Sequence, residues 1–230
     1  MADLLTVSIL PVLLTLMAFR LGQILQQKTK SPICNPILVA VILVLLFMNG
    51  TGMELSAYQQ GASLLSWLMT PATVCLAISM YEQYQVLRKN VPMIMAGVAA
   101  GALSCLLVIA LFCAVVGFDR TLTISLLPKS VTTAIGIPLS QIAGGTASIT
   151  TAAIILTGIT ASVLGPGLCK LFRLTDEISR GVAFGTAGHV IGTAKAGELS
   201  KLTGAVSSLS LVIAGLLTAL ILPVAAGFLP

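Results

Sequence analysis

LTISLLPKSVTTAIGIPLSQIAGG, from Leu122 to Gly145, is the stretch whose reading decides the fold. It is apolar enough to lie in a bilayer, yet Pro128, Gly136 and Pro138 interrupt it, Lys129 charges it, and Gly144 and Gly145 end it. Such a segment either crosses as a kinked helix or turns back on itself. The neighbouring charges decide between the two, because Lys and Arg in short loops are retained on the cytoplasmic side. The connections carrying Lys28 and Lys30, Arg88 and Lys89, and Lys170, Arg173 and Arg180 read as inside. Those around Glu54 and around Asp119 and Arg120 read as outside. Between the Asp119 loop and the Lys170 loop the chain must cross an odd number of times. Two apolar segments lie there, and the second, Thr146 to Leu168, is unbroken. Leu122 to Ala143 is therefore expected to enter from outside and return as a re-entrant hairpin.

The same parity applies further on. Gly181 to Gly197, which holds five glycines, His189 and Lys195, becomes a second hairpin entering from inside, and Leu202 to Phe228 then exits. Weak internal matches agree with an inverted repeat. At an offset of 60, Thr133 and Ala134 match Thr193 and Ala194, Leu139 and Ser140 match Leu199 and Ser200, and Gly144 matches Gly204. After a three-residue deletion Gly158 matches Gly215 and Pro166 matches Pro223.

Upstream, Leu4 to Leu25, Ile37 to Met48, Ala62 to Met80 and Val91 to Val116 alternate as four spans from an external amino terminus. The second run has 12 residues, about 18 Å as helix. It must borrow from the Ser31 to Pro36 side or fail to span. The first run has Asp3 where a secretory signal needs a basic region, so it is expected to stay as a span. Composition sets the class: 57% of the 230 residues are hydrophobic and 8% charged, against about 25% charged in soluble domains, and the mean hydropathy is +1.07. The lipid bilayer is the solvent. The expected fold is an all-α polytopic membrane bundle of about six full spans plus two oppositely oriented broken-helix hairpins. We expect one membrane domain over 1–230, with scaffold-like spans in 1–118 and an inverted-repeat, transport-like unit in 119–230.

Several function classes are disfavoured. The 12 Lys and Arg residues are scattered through short loops, which is not the basic face that nucleic acid requires. Cys34, Cys75, Cys105, Cys113 and Cys169 form no metal-ligand spacing and read as small packing residues. No nucleophile elbow, HExxH, Walker loop or carboxylate pair is present, so neither an enzyme nor a cofactor is expected.

Broken helices point to a site, because unpaired backbone at membrane depth is tolerated only inside protein or against a wet cavity. In secondary transporters such breaks aim half-helix amino termini at anionic substrate groups. LPKSVTTAIGIP fits, with Lys129 placed to pair with a carboxylate and Ser130, Thr132 and Thr133 to hydrogen-bond it. An ionisable residue in such a segment costs roughly 2.5 to 3.5 kcal/mol, although a lysine snorkelling to a headgroup is the bland alternative. In the second stretch the glycines fit close helix packing, while His189 is either a structural hydrogen-bonder or a substrate or proton-handling group. Thr193 is a further candidate ligand. Lys195 either pairs with Glu198 or faces the substrate. Thr70 and Pro71 make either a half-helix or only a kink, and Asn35 is either the cap of the helix begun by Pro36 or a ligand.

The strings SLLPKSVTTAIGI (Ser125 to Ile137) and RGVAFGTAGHVIGTAKAGE (Arg180 to Glu198), with NPILVA at Asn35 to Ala40 and YEQ at Tyr81 to Gln83, resemble the LrgB/CidB family over essentially the whole chain. The resemblance implies a multi-pass protein of the bacterial inner membrane, partnered by a small LrgA/CidA-type membrane protein. Its implied roles are antiholin-like modulation of murein hydrolase activity and autolysis, or movement of small carboxylates such as pyruvate, glycolate and glycerate. Gly188 stands where the family's second string commonly has serine, which removes one hydroxyl from the implied ligand set. The leading expectation is a transporter or facilitator of a small monocarboxylate or 2-hydroxycarboxylate, with a dimer expected by analogy. Lys129 would hold the carboxylate, and Thr132, Thr133, Thr193 and His189 its other oxygens. The alternative is a non-transporting modulator of a holin-like pore.

Overall fold

The computed structural model describes residues 2–29 and 35–227; the side chains of residues 2–8, Thr70 and Thr73 lie outside the description, as does Cys34. Every regular element described is helical, and these elements group into two compact units, Met1–Cys75 and Leu76–Pro230. Five helices are long and apolar enough to cross a membrane. They are most of α1 (Ala2–Thr29), α4 (Ser63–Glu82), α5 (Tyr84–Val116), α8 (Ala147–Leu171) and α10 (Lys201–Gly227).

In the first unit α2 (Pro36–Thr51) is the short second run. It gains length at its carboxyl end, reaching 16 residues and about 24 Å. Asn35 starts it by accepting from the Ile37 and Leu38 amides at 2.9 and 3.4 Å. Ala18 of α1 packs with Ala40, Val44 and Met48 of α2. The short α3 (Leu55–Gly61), which hydropathy did not suggest, is held by Tyr58, whose hydroxyl lies 2.6 Å from that of Thr15. Helix α4 runs on through Pro71 as a single helix.

The second unit buries small hydroxyl side chains among apolar ones and turns large apolar side chains outward. On α10 Thr203, Ser207, Ser208, Ser210 and Thr218 are buried, while Leu216, Leu220 and Val224, spaced four apart, are exposed. On α5 Leu107, Leu111 and Val115 make a similar outward stripe. The inner face of α5, with Leu87, Ile94 and Val98, packs against Ala205, Val206 and Ala214 of α10.

Both broken segments fold back. The first consists of α6 (Arg120–Leu126), a 3-10 turn (Leu127–Ser130) and α7 (Thr133–Ala143). In a continuous helix residues 125 and 140 would lie about 22 Å apart. Instead the Thr150 hydroxyl donates to the Ser125 carbonyl at 2.9 Å and lies 2.7 Å from the Ser140 hydroxyl. The Ser125 hydroxyl accepts from the Thr146 amide at 2.7 Å, which ties the base of this hairpin to the start of α8. The second is α9 (Glu177–Leu199), whose helical path is interrupted at His189, with φ 42° and ψ −141°. Residues 184 and 192 would be about 12 Å apart in an unbroken helix, but a Cβ on Gly192 would meet the Phe184 carbonyl oxygen at 2.7 Å. Phe184 also shares a buried cluster with Ala196 and with Cys169 near the end of α8.

The two hairpins approach α8 from opposite ends. The first has its base at the amino end of α8 and its tip, near Gly136, against Ile154; the second has its base toward Cys169 and its tip, His189, against Gly158. This is the opposed arrangement expected from charge parity. It also explains the match of Gly158 with Gly215: Gly158 of α8 receives the His189 ring, and Gly215 of α10 receives the end of Ile135 from the first hairpin.

Candidate functional site

The tips of the two hairpins are where the backbone leaves helical geometry. Pro128 has ψ 21° inside the 3-10 turn, Val131 is extended, and α7 starts afresh from Thr132. The Thr132 carbonyl accepts from the Ile135 and Gly136 amides at 3.0 and 2.7 Å, so the amino end of α7 opens at the tip. The second leg of α9 likewise begins just after His189. Two helix amino termini with partial positive charge thus begin against the middle of α8, an arrangement suited to an anion.

Lys129 adds a full charge to this region. Its ammonium donates to the Ser130 hydroxyl at 3.1 Å and to the Cys105 sulfur at 3.5 Å. It lines a cleft of about 530 Å³ between α5 and the first leg of α9, whose other walls include Gly101, Val108, Val182 and Ala187. Lys129 is the only charged side chain lining that cleft among the described residues. The cleft extends to Leu174 and Ser179 at the base of the second hairpin. There Asp176 caps α9, and hydrogen bonds from the Ser179 amide and hydroxyl hold its carboxyl below the usual carboxylate range.

His189 is buried, and one ring nitrogen, Nε2, lies 2.8 Å from the Ile154 carbonyl. With the carbonyl as acceptor, Nε2 carries a proton. The backbone at His189 is strained, since a β-branched-free but non-glycine residue at positive φ costs of order 1–3 kcal/mol in sparsely populated regions. Gly158 makes room for the ring: a Cβ there would meet His189 Cε1 at 2.5 Å and Nε2 at 2.6 Å.

The remaining expected residues divide. Ser130 is buried, with its hydroxyl 3.0 Å from the Cys105 sulfur, and Thr132 and Thr133 stand half-buried at the start of α7. Thr193 is buried one turn beyond His189, 2.9 Å from the Ser207 hydroxyl. It lines a separate cavity of about 250 Å³ with Glu82, Lys201 and Ser208. Lys195 pairs with Glu198 at 2.6 Å near the open end of the second hairpin. Asn35 belongs to the first unit, where it caps α2. Sequence reasoning missed Ile154, took Cys105 for a packing residue and met Gly158 only as a match to Gly215. Their roles arise from contacts made across 24 to 35 positions of sequence, for which the apolar pattern gives no signal.

Opposed hairpins that meet midway along a membrane-length helix, beside a cleft holding one ammonium, define an all-α polytopic membrane protein. The chain belongs to the LrgB-like family, whose sequence profile matches residues 15–228. No solved structure matches it.

Proposed function

We propose that the protein is a bacterial inner-membrane transporter or facilitator of a small monocarboxylate, and that Lys129 holds the carboxylate. The observation that carries this reading is the Lys129 ammonium in an otherwise uncharged cleft, beside the amino end of α7. One cation balances one carboxylate; a second carboxylate would find no charged partner among the residues that line the cleft. The apolar walls suit a short carbon body, and the volume falls within the ~300–1,000 Å³ range of small-molecule sites. The cleft leads toward the connection that carries Lys170, Arg173 and Arg180, which the positive-inside rule assigns to the cytoplasm. Alternating access would follow from movement of the hairpin tips relative to α8.

The test is uptake of radiolabelled pyruvate, glycolate and lactate into vesicles reconstituted with the protein alone and with its small LrgA/CidA-type partner. Lys129→Ala, checked for folding by its melting profile in detergent, should abolish uptake. Undiminished uptake by that variant refutes the role of Lys129. No uptake by the unaltered protein in either setting, together with an altered lysis phenotype in cells, favours the antiholin-like role instead.

A further inference from the structure

Cys105 sits at the centre of an arrangement that its apolar helix does not announce. Its sulfur lies 3.0 Å from the Ser130 hydroxyl and 3.5 Å from the Lys129 ammonium, and Ser130 and Lys129 are themselves 3.1 Å apart. The three groups form a closed triangle joining α5 to the tip of the first hairpin. Cys105 is half-buried and borders both the open cleft and a small internal void beneath Ser130. Cys113 and Cys169 are buried in packing, so Cys105 differs from them in facing polar atoms and open space.

An ammonium has three N–H donors. Two of those of Lys129 are directed at Ser130 and Cys105, which leaves one for the cleft. Without such partners a four-carbon side chain samples many rotamers, and fixing it on substrate binding would cost up to about 2 kcal/mol of side-chain entropy. We propose that Cys105 is a positioning residue for Lys129: together with Ser130 it holds the ammonium so that its remaining N–H faces the substrate carboxylate. This rests on the transport reading of the cleft.

The experiment uses the full chain with Cys34, Cys75, Cys113 and Cys169 replaced by alanine, reconstituted in vesicles, with pyruvate as the probe. Cys105→Ala should raise KM about fivefold, the effect of one modest hydrogen bond, while kcat stays within about twofold because the carboxylate contact itself survives. Cys105→Ser, which restores a polar atom at the same place, should return KM close to that of the parent. A merely structural role would lower the amount of folded protein and kcat without this split. In a second arm Ser130→Cys is oxidised with copper phenanthroline. A disulfide between positions 105 and 130, mapped by peptide mass, should form and block uptake until it is reduced.

Unchanged KM in Cys105→Ala, failure of Cys105→Ser to restore it, or absence of the disulfide overturns the proposal. The two failures separate on Lys129→Ala. If that variant loses uptake while Cys105→Ala behaves as the parent, only the positioning role falls. If Lys129→Ala transports normally, the transport reading falls and takes the positioning role with it.

Discussion

Gly158→Ala tests how tightly the second hairpin tip is seated. The added methyl would stand 2.5 Å from His189 Cε1, 2.6 Å from Nε2 and 2.9 Å from Ile191 Cδ1. His189 is buried and fixed at 2.8 Å to the Ile154 carbonyl, so the ring cannot move aside and keep that bond. Overpacking by a methyl costs about 1–3 kcal/mol, and the lost hydrogen bond about 0.5–1.5 kcal/mol. Against this stands the gain of about 0.5–1 kcal/mol for alanine over glycine within a helix. The net expectation is a destabilisation of about 0.5–4 kcal/mol, with loss of uptake because the tip shifts. Gly167→Ala, on the same helix, is the control: nothing lies within 4 Å of its Cβ, so only the helical gain applies. Gly215→Ala is intermediate, since the flexible end of Ile135 at 2.9 Å swings away at little cost. Thermal unfolding in detergent should rank the three as Gly167→Ala above Gly215→Ala above Gly158→Ala. A Gly158→Ala protein that melts with the parent and still transports refutes the seating of His189 on α8.

Further outcomes follow from other contacts. Ser125→Ala leaves the Thr146 amide without its 2.7 Å acceptor at the base of the first hairpin, and should cost about 1–3 kcal/mol in the same melting assay. Glu198→Gln removes the pairing with Lys195 but touches an exposed carboxylate; stability should change by less than about 1 kcal/mol, and uptake kinetics should not change. Asp176→Ala removes the cap of α9 and should cost roughly 1 kcal/mol. Because the Asp176 carboxyl is held below its ordinary range, the cap is present above the unfolded-state value and is lost as pH falls through the folded one. The melting difference between parent and Asp176→Ala should therefore shrink on acidification below about pH 4, and a difference that holds at low pH contradicts the role of the charged cap.

Much of this architecture was legible in residue order, for a simple reason. Lipid penalises unpaired backbone and misplaced charge heavily, so Pro128, Gly144, Gly145 and the loop lysines and arginines mark the hairpins openly. The break at His189 was harder to locate, because no proline marks it and the glycines around it serve packing: Gly181 and Gly185 lie against α10, and Gly192 against Phe184. The length of α2 was misjudged at its carboxyl end, since Asn49, Gly50 and Thr51 are helical although not apolar. Lys129 was singled out as the ionisable group at a break, and it lines the cleft. Its partner Cys105 was not, because a thiol in an apolar run reads as packing until its neighbours are known. Lys195 and Asn35 look alike in sequence as polar groups at membrane depth, yet one ends in an ion pair and the other in a helix cap.

The account depends above all on two hairpins that enter from opposite faces of the membrane. Gln141 and Gly197 are exposed near the open ends of the first and second hairpins, and a Cβ on Gly197 meets nothing within 4 Å. In the cysteine-free protein Gln141→Cys and Gly197→Cys are labelled separately with a membrane-impermeant maleimide, in sealed spheroplasts and in inverted vesicles. Gln141→Cys should react only from the periplasmic face and Gly197→Cys only from the cytoplasmic face; reaction of both from one face contradicts the opposed hairpins.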